Sequence, residues 1–223
     1  MGNQIVVLHN ENLRLTVSTR GAEMQSLITH ADGKEQLWQG DQTIWADRAP
    51  WLFPLIGQLR HGQYRYRGQS YRMPMHGFAS SAEFELVEHT ETTATLRLAA
   101  NAETLSVYPW RFLLEISYAL EKNSVRITST VRCADQEDMY FSFGAHPGFL
   151  CVQGDMLCFD GIDVLECQRL CLETHLLRPE TVRMDAVIRL EESLFDDDAM
   201  LFHKPSCTHR NPGCAPKEKY ISS

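Results

Sequence analysis

The chain lacks the features that would carry it into or across a membrane. No apolar run in its 223 residues approaches the ~20 needed to span a bilayer. The opening MGNQIVVLHNENLRLTV lacks the basic-then-apolar order of a secretory signal. Positive charge is also short. Lys and Arg number 21 against 29 Asp and Glu, a net charge of −8, so the clustered cations that neutralise nucleic-acid phosphates are missing. Cysteine is present, but its seven residues make an odd count with no export signal. That argues against a disulfide framework and for small, mostly buried thiols in a reducing compartment. These absences predict a cytoplasmic protein with no membrane or nucleic-acid partner.

Metal chemistry has little support. His203, Cys207, His209 and Cys214 match no standard zinc-finger spacing. The acidic run from Glu191 to Asp198 reads as a solvated surface or a helix start, with too few ordered oxygen ligands for calcium. Long amphipathic helical patterns are scarce as well.

The dominant period is two. IVVLH and LRLTV flank a turn at Asn10-Glu11-Asn12, and EFELVEH and TATLRLAA flank residues 90–92. The clearest hairpin, RFLLEISYALEKNSVRITSTVRC, turns at Glu121-Lys122-Asn123-Ser124. A smaller one, YRYRGQSYRM, turns at Gly68, and Asn101 is placed to cap one helical turn. Short strands at close spacing, without βαβ alternation, predict an all-β fold: a large antiparallel sandwich or barrel. The predicted domain runs over residues 1–203. The segment 204–223 has three prolines, two cysteines and no apolar period, and reads as an irregular tail.

Three segments stand out chemically. Residues 73–79, MPMHGFA, and 140–151, YFSFGAHPGFLC, each set a histidine, His76 or His146, beside glycine or proline at the end of an apolar stretch. Pro147 biases His146 toward an extended backbone, and Gly77 and Gly148 permit sharp turns or close approach. Two histidines can exchange protons with a ligand near neutral pH; equally, each can be a hydrogen-bonded histidine at a strand end. The third segment, RAPWLFPLIG at 48–57, places Arg48 between Trp45 and Trp51. A guanidinium near aromatic faces suits a sugar, which offers hydroxyls at its rim and C–H groups on its faces; it also suits the capping of an apolar loop. Arg60, Arg65, Arg67 and Arg72 around the small hairpin read as one solvated face or a phosphate patch.

Together these segments resemble the aldose 1-epimerase family of the galactose mutarotase-like superfamily, in its bacterial epimerase-related branch. That branch carries R-x-P-x-L-F-P-x-x-G, then G-x-x-Y-x-M-x-x-H-G-F-A, then F-x-x-G-x-H-P-x-F. Here they read RAPWLFPLIG, GQSYRMPMHGFAS and FSFGAHPGF. The resemblance implies a large antiparallel β-sandwich with a sugar cleft, and an isomerase that opens and recloses a hexose ring at C1. It implies His146 as acid at the ring oxygen and His76 as its assistant. Arg48, Phe78 and an aspartate of DDDAMLF, taken as Asp198, would bind the sugar. No metal or organic cofactor is implied, because proton transfers between oxygens need only placed groups.

One departure stands against the resemblance. The family's general base is a glutamate in a late segment like I-E-P-W-x-G, and no such segment occurs here; the late Glu218, in APKEKYISS, does not match it. The expectation is a family member without its last strands and base, whose exposed edge a homodimer or a full-length partner would cover. Three functions stay open: an epimerase of free galactose or glucose, an epimerase of a hexose phosphate using the arginine-rich hairpin, and a sugar-binding or sensing module without turnover.

Overall fold

Alternation of apolar and polar residues builds the first sheet. In LRLTVS, Leu13, Leu15 and Val17 point one way and are buried, because successive strand side chains take opposite faces. The computed structural model describes residues 2–159, 161–173, 176–196 and 199–202. Strands β1 (Ile5–His9), β2 (Leu13–Ser18) and β3 (Met24–Thr29) form an antiparallel sheet in that order. A bulge between Thr16 and Val17 shifts the β2–β3 register beside the turn that carries Gly21 and Ala22, both at positive φ.

The short β4 (Trp51–Leu52) follows, then a hairpin of β5 (Gln63–Tyr66) and β6 (Gln69–Arg72). Its two central residues, Arg67 and Gly68, both take positive φ. Register puts Tyr64 opposite Tyr71 on one face and Arg65 opposite Ser70 on the other. Tyr64 and Tyr66 pack against the core while Arg65 and Arg72 face solvent.

The second large sheet has the order β10-β9-β8-β7, with β7 (Glu85–His89), β8 (Thr93–Ala99), β9 (Phe112–Glu121) and β10 (Ser124–Cys133), all antiparallel. Between β8 and β9 lies α1 (Ala102–Val107). Asn101 caps it by accepting the Thr104 amide, and Thr104 returns the bond to the Asn101 amide. Inward residues of β9, including Leu114, Ile116 and Tyr118, meet Val6, Leu8 and Leu15 of the first sheet in one core. Each such aliphatic side chain contributes about 1.5–3 kcal/mol by burial. These are the strands that the period-two pattern predicts, and the fold is all-β.

Residues Met1–Leu150 form one compact unit and Cys151–Ser223 another. After β11 (Gly144–Ala145), which closes the first, the second unit holds β12 (Met156–Cys158), β13 (Val164–Leu170), β14 (Leu177–Asp185), β15 (Val187–Arg189) and β16 (Met200–Phe202). β12 pairs with β15, and β13 lies between β14 and β16. Leu165, Ala186 and Ile188 make its small core, with Phe159 and Phe202 edge to face. Of the described cysteines only Cys167 is buried. Cys133, Cys151 and Cys158 are exposed and Cys171 half-buried, contrary to the expectation of mostly buried thiols. Their positions on outward strand registers and in loops, rather than their chemistry, decide this.

Phe53, fully buried, joins the site loop to the core. Its ring touches those of Phe78, Tyr108, Phe112 and Phe141. Its carbonyl accepts the amides of Phe78 and Ala79, at 3.0 and 3.2 Å. Gly77 lies so close that a Cβ there would overlap the Phe53 carbonyl, and its φ of +79° favours glycine. Gly77→Ala therefore adds a backbone clash to left-handed strain. It is expected to lower the urea-unfolding free energy by about 2–5 kcal/mol with little change in the slope m.

Candidate active site

Segment 48–57 is held from both sides. On one side β11 pairs with β4, matching Gly144 to Leu52 and Ala145 to Trp51. On the other, Phe53 and Gly77 form a parallel bridge. The two histidine segments are thereby brought to the two flanks of one loop. The His146 amide donates to the Pro50 carbonyl at 3.0 Å, and the His76 amide donates to the Gly57 carbonyl at 2.8 Å.

The rings of His76 and His146 meet edge to face, with centroids 4.9 Å apart and planes at 76°. The Gly57 amide donates to His76 Nδ1 at 3.0 Å. Nδ1 is thus an acceptor, and the proton of the neutral ring sits on Nε2. His76 holds φ at +64°, uncommon for a residue with a side chain. Its paired bonds to Gly57 offset that strain. The His146 side chain reaches solvent, but its surroundings make the charged form costly. Partial burial first, and repulsion from His76 second, hold its pKa below the ordinary histidine value.

Arg48 approaches the same loop. The Gly148 amide donates to the Arg48 carbonyl at 2.8 Å, tying Arg48 to the strand end that bears His146. Gly148 is needed there because a Cβ would come within 2.7 Å of the Trp45 ring and 3.0 Å of Trp38. Arg48 Nη1 donates to Gln25 Oε1 at 2.7 Å, while its buried Nε has no partner. Glu23 Oε1 accepts the amides of Arg48 and Ala49, at 2.8 and 2.9 Å. Glu23 is itself set by the Gly21–Ala22 turn, whose Ala22 carbonyl accepts a 2.6 Å bond from the buried Tyr118 hydroxyl. That hydroxyl also accepts from Trp51 Nε1 at 2.9 Å, and Trp51 stacks on Phe143 at 5.3 Å. Burial raises the Tyr118 pKa, so it stays a neutral donor.

The structure therefore gathers Arg48, His76 and His146 onto one loop and its two flanks. Phe78 lies just beneath, half-buried, with Phe53, Tyr108 and Phe112 around its ring. Asp198, His203, Cys207, His209, Cys214 and Glu218 lie outside the described residues. Of the hairpin arginines, Arg67 is engaged: it pairs with Glu137 at 2.7 Å and lies over the Tyr66 ring. A cavity of about 270 Å³ beneath the hairpin is lined by Leu55, Tyr64, Tyr66, Tyr108, Trp110 and Tyr140 among others, and not by Arg48 or either histidine. Three of its polar tips are committed to backbone carbonyls, Tyr64 to that of Val107, Tyr108 to that of Tyr140 and Trp110 to that of Asp138, while Arg65 also lines it. Sequence reasoning missed Glu23, Gln25 and the role of Gly57. Gln25 lies in β3 and Glu23 just before it, and nothing in the sequence links either to Arg48.

The described fold is thus a β-sandwich in which Arg48 lies on one loop and the apposed rings of His76 and His146 on its flanks. Residues 4–193 match the family model described as aldose 1-epimerase. The chain belongs to the aldose 1-epimerase family. It is 34% identical over 212 residues to the plasmid-borne protein LacX of Lactococcus lactis, covering 87% of this chain and 71% of that protein. Its fold superposes on a galactose mutarotase related enzyme from Lactobacillus acidophilus with a TM-score of 0.81 at 31% identity, over 89% of this chain and 69% of the other. A galactose mutarotase-like protein from Lactobacillus casei gives 0.76 at 29% identity, over 89% and 71%.

The His146 shift has a sign that can be checked. In an imidazole NMR titration its pKa is expected below 6.5, and His76→Asn, which tolerates positive φ, is expected to raise it by removing the neighbouring charge. The unfolded chain takes up this proton first as pH falls. Stability linked to neutral His146 is therefore full above pH 6.5 and is lost as pH drops through the lowered folded pKa.

Proposed function

We propose that this chain binds a free aldohexose at the loop formed by residues 48–57 and interconverts its α and β anomers. The observation that carries this reading is the apposition of His76 and His146, 4.9 Å between ring centroids, with His76 tautomerically fixed by Gly57. Two titratable rings that close can serve the two oxygens on either side of C1. Arg48, through hydroxyls, and Phe78 are the proposed sugar-binding residues of this loop; Asp198, which the family resemblance adds, lies outside the described residues.

In the proposed chemistry, protonated His146 gives its proton to the ring oxygen as the bond from that oxygen to C1 breaks. The C1 hydroxyl loses its proton to a base, and its oxygen becomes the aldehyde carbonyl. Rotation about C1–C2 presents the other face of the carbonyl. The former ring oxygen attacks and returns its proton to His146. The carbonyl oxygen takes its proton back from the base, and C1 regains a hydroxyl of the opposite configuration. Atoms and protons balance over the cycle, and no redox partner is required. His76 steadies an oxygen beside C1 and assists transfer.

The alternative reading is sugar binding without turnover. Anomer exchange of pure α-glucose and α-galactose, followed by NMR on the 223-residue protein, separates the two. Acceleration that His146→Ala lowers by about 10²–10⁴-fold supports the epimerase. Sugar-induced shifts of the protein's own signals without acceleration support the binding module. Tighter binding of glucose 6-phosphate than of glucose would favour a hexose-phosphate substrate instead; the engagement of Arg67 by Glu137 weighs against that outcome.

A further inference from the structure

Arg48 makes no ion pair among the described residues, although a carboxylate is close by. Glu23 is directed elsewhere. Its Oε1 accepts the amides of Arg48 and Ala49, and its Oε2 accepts from Gln25 Nε2 at 2.8 Å. Gln25 then turns its Oε1 to Arg48 Nη1 at 2.7 Å. The amide is a polar spacer between an anion and a cation.

Its orientation follows from chemistry. A carboxylate only accepts and a guanidinium only donates, so a single setting of the amide satisfies both neighbours. The nitrogen must face Glu23 and the oxygen must face Arg48. A carboxylate in place of the Gln25 amide would repel Glu23, and a cation there would repel Arg48. A direct carboxylate–guanidinium fork would orient Arg48 too, but would use two of its five donors and offset its charge. The neutral relay orients the group through one donor.

From this we infer that Gln25 is a positioning residue of the ligand site: with Glu23 it aims the Arg48 guanidinium while leaving its charge for a bound sugar oxygen. The inference rests on the reading of Arg48 as a sugar-binding group. It specifies that reading further: Arg48 meets the sugar as an unneutralised cation, suited to an oxygen that gains negative charge as the ring opens.

The test uses the 223-residue protein, three variants and two independent readouts. The variants are Gln25→Ala, Gln25→Glu and the exchange pair Glu23→Gln with Gln25→Glu. The first readout is the rate of guanidinium rotation about Nε–Cζ, measured by arginine side-chain NMR with the Arg48 signal assigned by its loss in Arg48→Lys. The second is affinity for glucose and galactose by NMR titration, with KM and kcat wherever anomer exchange is accelerated. In the Gln25→Ala protein, rotation is expected to quicken about tenfold. Sugar affinity should fall about tenfold, kcat should fall as well wherever exchange is accelerated, and the His146 titration should not move. Gln25→Glu is expected to weaken binding at least as much. The exchange pair should restore slow rotation, because its relocated carboxylate would then face Arg48 directly, yet not restore affinity. Rotation in Gln25→Ala equal to that of the unchanged protein overturns the inference, as does an exchange pair that binds sugar as tightly as the unchanged protein. If the unchanged protein binds neither sugar, the proposed function fails, while the rotation rates still decide whether Gln25 aims Arg48.

Discussion

The site depends on one close contact, the packing of Gly77 onto the carbonyl of Phe53. Two chain segments meet there at a separation that no side chain permits. Because the Phe53 ring is fully buried among Phe78, Tyr108 and Phe112, the contact fixes the backbone against the sandwich core rather than against another loop. His76 then has one place to go. Its amide and its ring both bond to Gly57, so core packing is converted into the position of an imidazole. The opposite flank repeats the logic with β11 on β4 and with Gly148 against Trp45.

Electrostatics at the site follow from which groups the backbone occupies. The Glu23 carboxylate is engaged by two backbone amides and the Gln25 amide, not by the guanidinium it lies near. Arg48 therefore keeps its charge unpaired among the described residues, while His76 and His146 face each other on the flanks of the same loop. Partial burial first, and the neighbouring His76 second, lower the pKa of His146.

The cavity beside the loop shows how register, rather than composition, decides what a surface can bind. The hairpin β5–β6 sorts its residues by register, placing tyrosines toward the core and arginines toward water. The tips of Tyr64, Tyr108 and Trp110 bond backbone carbonyls from residues 107, 140 and 138 rather than opening into the cavity. Arg48, His76 and His146 lie outside its lining, on the 48–57 loop and its flanks.

Strand identity was legible in the chain because side-chain direction alternates strictly along a strand, so burial writes itself into the sequence with a period of two. β1, β2, β7, β8, β9 and β10, the turn at Lys122-Asn123 and the Asn101 cap all follow from neighbours within a few residues. The candidacy of Arg48, His76 and His146 was also legible, through motifs whose order and spacing resemble one family. Proximity was not. That the segments of residues 76 and 146 flank the loop that begins at residue 48, that Gly57 sets the tautomer of His76, and that Glu23 and Gln25 reach Arg48 are facts about segments separated by 19 positions or more. Periodicity records which face a residue takes in its own strand. Which distant face it meets is decided by the packing of the two sheets, where burial, close approach and the need to pair every polar group are satisfied together.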